Sequence, residues 1–61
     1  MTNPLNKYNR EALTALYASF VFLEENDLRS EDVKHAILKI EAKTNDTDKI
    51  QAKTRAWLLS A

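Results

Sequence analysis

The chain has 61 residues, balances nine Lys and Arg against nine Asp and Glu, and contains neither glycine nor cysteine. That length fits one domain, and a domain so small buries only about 60% of the surface its unfolded chain exposes. The lack of cysteine removes disulfides and thiolate metal sites, and the lack of glycine removes phosphate-cradling loops, dinucleotide fingerprints, nucleophile elbows and tight hairpins.

Met1 to Asn6 is polar, and two helix starts compete near it. Asn3 followed by Pro4 has the pattern of an N-cap with proline at the first helical position. Asn9 followed by Arg10 and Glu11 is the rival. Between them, the first helix is placed at 6–25. Its main stripe is Leu5, Ala12, Leu16, Phe20 and Leu23, with Leu13 beside it, at the three-and-four spacing of one helix face. Asn26-Asp27 is the expected stop, with asparagine in the left-handed cap position that glycine would otherwise take.

Ser30 is the expected cap of a second helix over 31–44, with Glu31 and Asp32 in its first turn, where acids complement the helix dipole. Val33, Ala36, Ile37, Ile40 and Thr44 form its core stripe, and Asn45 ends it. Asp46 or Thr47 caps a third helix over 48–60, whose stripe is Ile50, Thr54, Trp57, Leu58 and Ala61. Trp57 lies on that stripe and is expected in the core. Residues 1–61 thus read as one all-α, three-helix domain with short connections, which bring neighbouring helices close.

At about 100° per residue, each helix carries more apolar surface than one stripe. On the first helix the arc covers roughly 240°, with Tyr8, Ala15 and Phe22 on one flank and Tyr17 and Val21 on the other, against the roughly 100° that a helix on the outside of a bundle needs. Lys7, Glu11, Thr14, Ala18 and Glu25 mark the wet side. Leu38 and Ala42 stand opposite the second helix's stripe, and Ala52, Ala56 and Leu59 opposite the third's. Small domains without disulfides are commonly stapled by a metal or a partner chain. With His35 the sole histidine, a His-pair zinc site is excluded, and a helical homodimer is the simplest staple. The expected interface is Tyr8, Ala15, Tyr17, Val21, Phe22, Leu38 and Leu59, with Phe22 its anchor.

Glu24, Glu25, Asp27, Glu31 and Asp32 cluster around the first turn with Arg29 among them. Two glutamates at a helix C-terminus oppose the dipole, a local cost that hints at a basic partner surface. A calcium loop is excluded by the spacing and the missing glycine. Lys39/Lys43 and Lys49/Lys53 are like-charged pairs four apart, which disfavour an isolated helix. They flank one turn and suggest a basic edge. As an alternative, residues 31–60 would be a helix-turn-helix-like unit offering Lys39, Lys43, Lys49, Gln51 and Lys53 to nucleic acid. Against it stand the missing turn glycine, Arg55 on the opposite side of the helix, and Glu41, Asp46 and Asp48 nearby.

No catalytic constellation is evident. His35 lies off its stripe, Ser19, Ser30 and Ser60 have no histidine nearby in sequence, and three short helices are not expected to enclose a ligand-sized pocket. No cofactor, metal or small-molecule substrate is expected. Met1 to Arg10 contains no apolar signal core, and the longest apolar run, Phe20 to Leu23, is too short to span a bilayer, so the expected location is the cytoplasm without a membrane partner. Small helical chains of this type often regulate or inhibit a larger protein, and phages and bacteria encode many, which is an argument from class. A non-catalytic interaction protein is the first expectation, a small DNA-binding transcriptional regulator the second, and a structural piece of an assembly the third.

Overall fold

Three helices account for most of residues 4–60, the part of the chain that the computed structural model describes; side chains are described from Lys7 to Ser60. Helix α1 spans Pro4–Glu25, α2 Glu31–Glu41 and α3 Asp46–Ser60. The described residues contain no strand. The start at Pro4 favours the earlier of the two competing signals; Asn3 itself, like Ala61 and the side chain of Leu5, lies outside the described residues. At 1.5 Å per residue α1 is about 33 Å long, and the other two helices lie along it.

Their directions follow from paired residues. Tyr17 meets Glu41 and Phe20 meets Lys34, so α2 runs antiparallel to α1. Arg10 meets Asp48 and Tyr17 meets Lys53, so α3 runs parallel to α1. Helix α1 packs against both partners, most extensively α3, while α2 and α3 make few contacts with each other. Part of the wide apolar arc of α1 thus faces neighbours on two sides, while Tyr8, Ala15 and Phe22 stay exposed.

The core is small. Leu13 is 0% exposed and clusters with Ile37 and Ala52; Leu16, Tyr17, Phe20, Val33 and Ile40 pack around them. The α2 stripe is therefore placed as expected. On α1 the buried centre lies at Leu13, between α2 and α3, and Thr14 is buried rather than wet. Its hydroxyl donates to the Arg10 carbonyl at 2.8 Å, so its polar atom is satisfied inside the helix's own hydrogen-bonding frame.

Helix α3 reverses its expected orientation. Ala52 and Ala56 are buried against the rest of the domain, whereas Ile50, Trp57 and Leu58 are exposed. The two alanines are four residues apart and let the backbones of α1 and α3 approach closely; a stripe of Ile and Trp would hold them apart.

The turns explain the remaining differences. Asp27, not Asn26, takes the left-handed conformation, with φ 54°. This lets Leu28 N–H reach the Leu23 carbonyl at 2.8 Å and Asp27 N–H the Glu24 carbonyl at 3.3 Å, a Schellman closure of the helix end. Asn26 instead donates its side-chain amide to the Phe22 carbonyl. Helix α2 ends at Glu41 rather than 44 because the chain turns through Ala42–Lys43. Thr44 stays buried, as its place on the stripe implied, with its hydroxyl on the Ile40 carbonyl. Asn45, rather than Asp46 or Thr47, caps α3: its Oδ1 accepts the Asp48 N–H at 2.8 Å, satisfying one of the first-turn donors.

Candidate functional site

An ion pair fixes the root of the α1/α3 contact. Asp48 sits in the first turn of α3, where the helix dipole favours a carboxylate, and it is buried. Arg10 reaches it from α1 at 3.4 Å and also donates to Gln51 Oε1 at 3.1 Å. Asn9 donates to the Lys43 carbonyl at 3.4 Å. The N-terminal half of α1 is thereby tied to the α2–α3 turn.

Toward the other end the helices leave apolar surface open. Between α1 and α3, Tyr17, Phe20, Val21, Ala56 and Trp57 line a recess of about 560 Å³, with Lys53 and Glu25 at its edges. This overturns the expectation that three short helices make no ligand-sized depression, because α2 and α3 both pack on α1 without closing over each other. Trp57, expected in the core, is 71% exposed on the wall of this recess. Tyr17, one of its lining residues, donates to Glu41 Oε2 at 2.7 Å, and the Lys53 ammonium lies 5.8 Å from the Tyr17 ring centroid. Burial, then the hydrogen bond and charge of Glu41, hold the Tyr17 phenol well above its ordinary titration range.

A second recess of about 260 Å³ is lined by Ala18, Val21, Phe22, Glu25, Leu59 and Ser60. Val21, Glu25 and Ser60 belong to both depressions. A third lies along the flank where Glu11 and Thr14 meet Arg55, Leu58 and Leu59.

The structure divides the expected interface residues into three places. Tyr8, Ala15, Phe22 and Leu59 are exposed, the first three on one face of α1 and Leu59 beside Phe22. Tyr17 and Val21 are half-buried at the α1/α3 recess. Leu38 is exposed alone on the outer side of α2. Trp57, Leu58 and Ile50, which sequence reasoning assigned to the core, add to the open apolar surface. Their signal was present: Ala52 and Ala56 formed the rival stripe.

The basic groups do not gather on one face. Lys49 pairs with Asp46 at 3.2 Å and shares a recess with Lys53, Glu41 and Ile50. Gln51 is turned to Arg10 on the other flank of α3, and Arg55 faces Glu11 and Thr14 there. Lys39 lies on the outer side of α2 and Lys43 in the following turn. In the acidic turn, Glu24 accepts the Ser30 hydroxyl at 2.7 Å, and the exposed Arg29 pairs with Glu31 at 3.2 Å. Ser30 thus holds the N-cap position of α2 without a side-chain capping bond.

Ser19 and Ser60 donate to the carbonyls of Ala15 and Ala56, one helical turn back. His35 is exposed on α2. Among the described residues no group of three or more His, Asp or Glu is placed to hold a metal ion, and no helix is long and apolar enough to cross a membrane. No family model matches the chain, and no curated protein or solved structure matches it.

Proposed function

We propose that this chain is a non-catalytic, cytoplasmic interaction protein. It is a helical homodimer that regulates or inhibits a larger protein by taking an apolar segment of it into the α1/α3 recess. The observation that carries this reading is Trp57, 71% exposed on the wall of an apolar depression of about 560 Å³. Burying a large aromatic side chain gains about 1.5–3 kcal/mol, and Trp and Tyr dominate the binding energy of many interfaces. An exposed Trp57 above Tyr17, Phe20 and Val21 supplies both the anchor and the pocket.

A photo-reactive benzoylphenylalanine in place of Trp57 tests this in cells that make the protein. The expected product is an adduct with a discrete protein, lost when Lys53→Trp, at an exposed lining position, crowds the recess, and insensitive to added salt. Adducts with nucleic acid, whose binding weakens steeply with salt by counterion release, or no adduct at all, would overturn the reading.

A further inference from the structure

The self-association in this reading leaves open which face is used, and the geometry points to one. We propose that two copies pair through the back of α1 in an antiparallel, two-fold arrangement centred on Ala15, each inserting Tyr8 into the other's recess beside Phe22 and Leu59. This rests on the homodimer part of the proposed function and not on the Trp57 recess.

Several observations converge. Tyr8, Ala15 and Phe22 recur every seven residues, which keeps them on one face of the helix, and all three are exposed. Tyr8 and Phe22 are 66% and 59% exposed, and neither α2 nor α3 covers that face. The positions are symmetric: Tyr8 and Phe22 stand equally far on either side of Ala15. A two-fold axis there brings Tyr8 of one copy level with Phe22 of the other. Between them Ala15, Ala18 and Ser19 are small enough for two helices to approach.

The ends are complementary in shape. Beside Phe22 lies the recess of about 260 Å³ walled by Ala18, Leu59 and Glu25, and Tyr8 is the protruding group that symmetry delivers to it. An isologous contact requires that one surface carry both the knob and the hole, and this face does.

The ends are also complementary in charge. Lys7 and Glu25 lie at the same angle around α1, eighteen residues apart by their numbers and so five full turns along the helix. In an antiparallel pair the same flanks adjoin, so Lys7 of each copy stands against Glu25 of the other. In a parallel pair opposite flanks adjoin, and neither residue would meet the other. Glu11, at the edge of the face, lines the same depression as Arg55. The exposed glutamate at the C-terminal end of α1, unfavourable to its own helix dipole, thereby acquires a cation.

Because the chain has no cysteine, single cysteines report the register. Sedimentation of the unmodified chain and diamide oxidation of Ala15→Cys, with Leu38→Cys as the control, form one experiment. Dimers are expected in sedimentation, together with efficient disulfide cross-linking of Ala15→Cys and none of Leu38→Cys. Mixed Tyr8→Cys and Phe22→Cys should cross-link with each other more readily than either does alone. Lys7→Glu should weaken association several-fold and Lys7→Glu/Glu25→Lys restore it, while helix content by circular dichroism stays unchanged. A strict monomer would sink the homodimer reading and this pairing together. A dimer in which Leu38→Cys cross-links and Ala15→Cys does not, or in which like-charge variants at Lys7 associate normally, overturns the pairing alone.

Discussion

Replacing Arg10 by Met removes the guanidinium while keeping an unbranched apolar stem. The guanidinium contacts two groups on α3, Asp48 at 3.4 Å and Gln51 at 3.1 Å. The Asp48 side chain is only 12% exposed, that of Arg10 30%. Loss of an exposed ion pair costs about 0.2–1 kcal/mol, and loss of one partner of a fully buried pair about 3–5 kcal/mol. This pair lies between those limits. It is long for a charge-assisted bond, and Arg10 Nε is buried without a hydrogen-bond partner, which offsets part of its value. The asparagine-capped first turn of α3 continues to support Asp48 after the arginine is gone. These considerations place the cost at about 2 kcal/mol, within the range between the exposed and buried cases. For a domain of this size, each kcal/mol shifts the melting midpoint by about 4–8 °C, so Arg10→Met should melt about 8–16 °C lower by circular dichroism. Asp48→Asn in the same background should recover part of the loss, because the uncompensated buried charge is removed. A midpoint within about 2 °C of the parent would refute the view that Arg10 anchors α3 to α1.

Leu13, wholly buried at the junction of the three helices, should cost about 2–5 kcal/mol as Leu13→Ala. The whole stability of a 61-residue domain is about 3–9 kcal/mol, so urea titration should find the midpoint of this variant strongly lowered, and an unchanged midpoint would refute the placement of Leu13. The Tyr17 phenol titrates higher in the folded than in the unfolded chain, through burial first and then Glu41. Its contribution is therefore complete below the unfolded value of about 10 and is lost as pH rises through the higher folded one. Urea midpoints measured from neutral to strongly alkaline pH should fall less steeply in Tyr17→Phe than in the parent, and equal slopes would contradict the assignment. At neutral pH the same variant should lose about 1 kcal/mol with the Glu41 hydrogen bond.

The core faces of α1 and α2 were legible because Leu13, Leu16 and Phe20 on one and Val33, Ile37 and Ile40 on the other follow helical spacing and do face the core. Val33, Ile37 and Ile40 are the large apolar positions of α2 that pack into the core, while Leu38 stays exposed. Helix α3 was not, because size and burial part company there. Ile50 and Trp57 outrank Ala52 and Ala56 on any transfer scale, yet the small residues face inward, where two backbones must meet. Thr14 misled in the same direction, its hydroxyl hidden by the Arg10 carbonyl one turn back. The Arg10–Asp48 pair spans 38 positions, beyond any local pattern. The asparagine three residues before Asp48 was the available clue to where α3 begins.

The inversion of α3 has a consequence for function. Had Trp57 faced α1, the domain would have gained a large core residue and lost a wall of the recess it shares with Tyr17 and Phe20. Instead the chain keeps an alanine seam inside and leaves Trp57, Leu58 and Leu59 on the last turns of α3, each more than half exposed. Leu59 joins the Phe22 recess on one side of α1, and Trp57 joins Tyr17 and Phe20 on the other. The helix that contributes least bulk to the core thus furnishes a wall to the Trp57 recess and to the Phe22 recess. The two surfaces meet at Val21, Glu25 and Ser60, which belong to both. Occupation of one should therefore alter packing at the other through the shared end of α1 and α3, because a side chain that lines both recesses cannot adjust to one occupant without moving relative to the second.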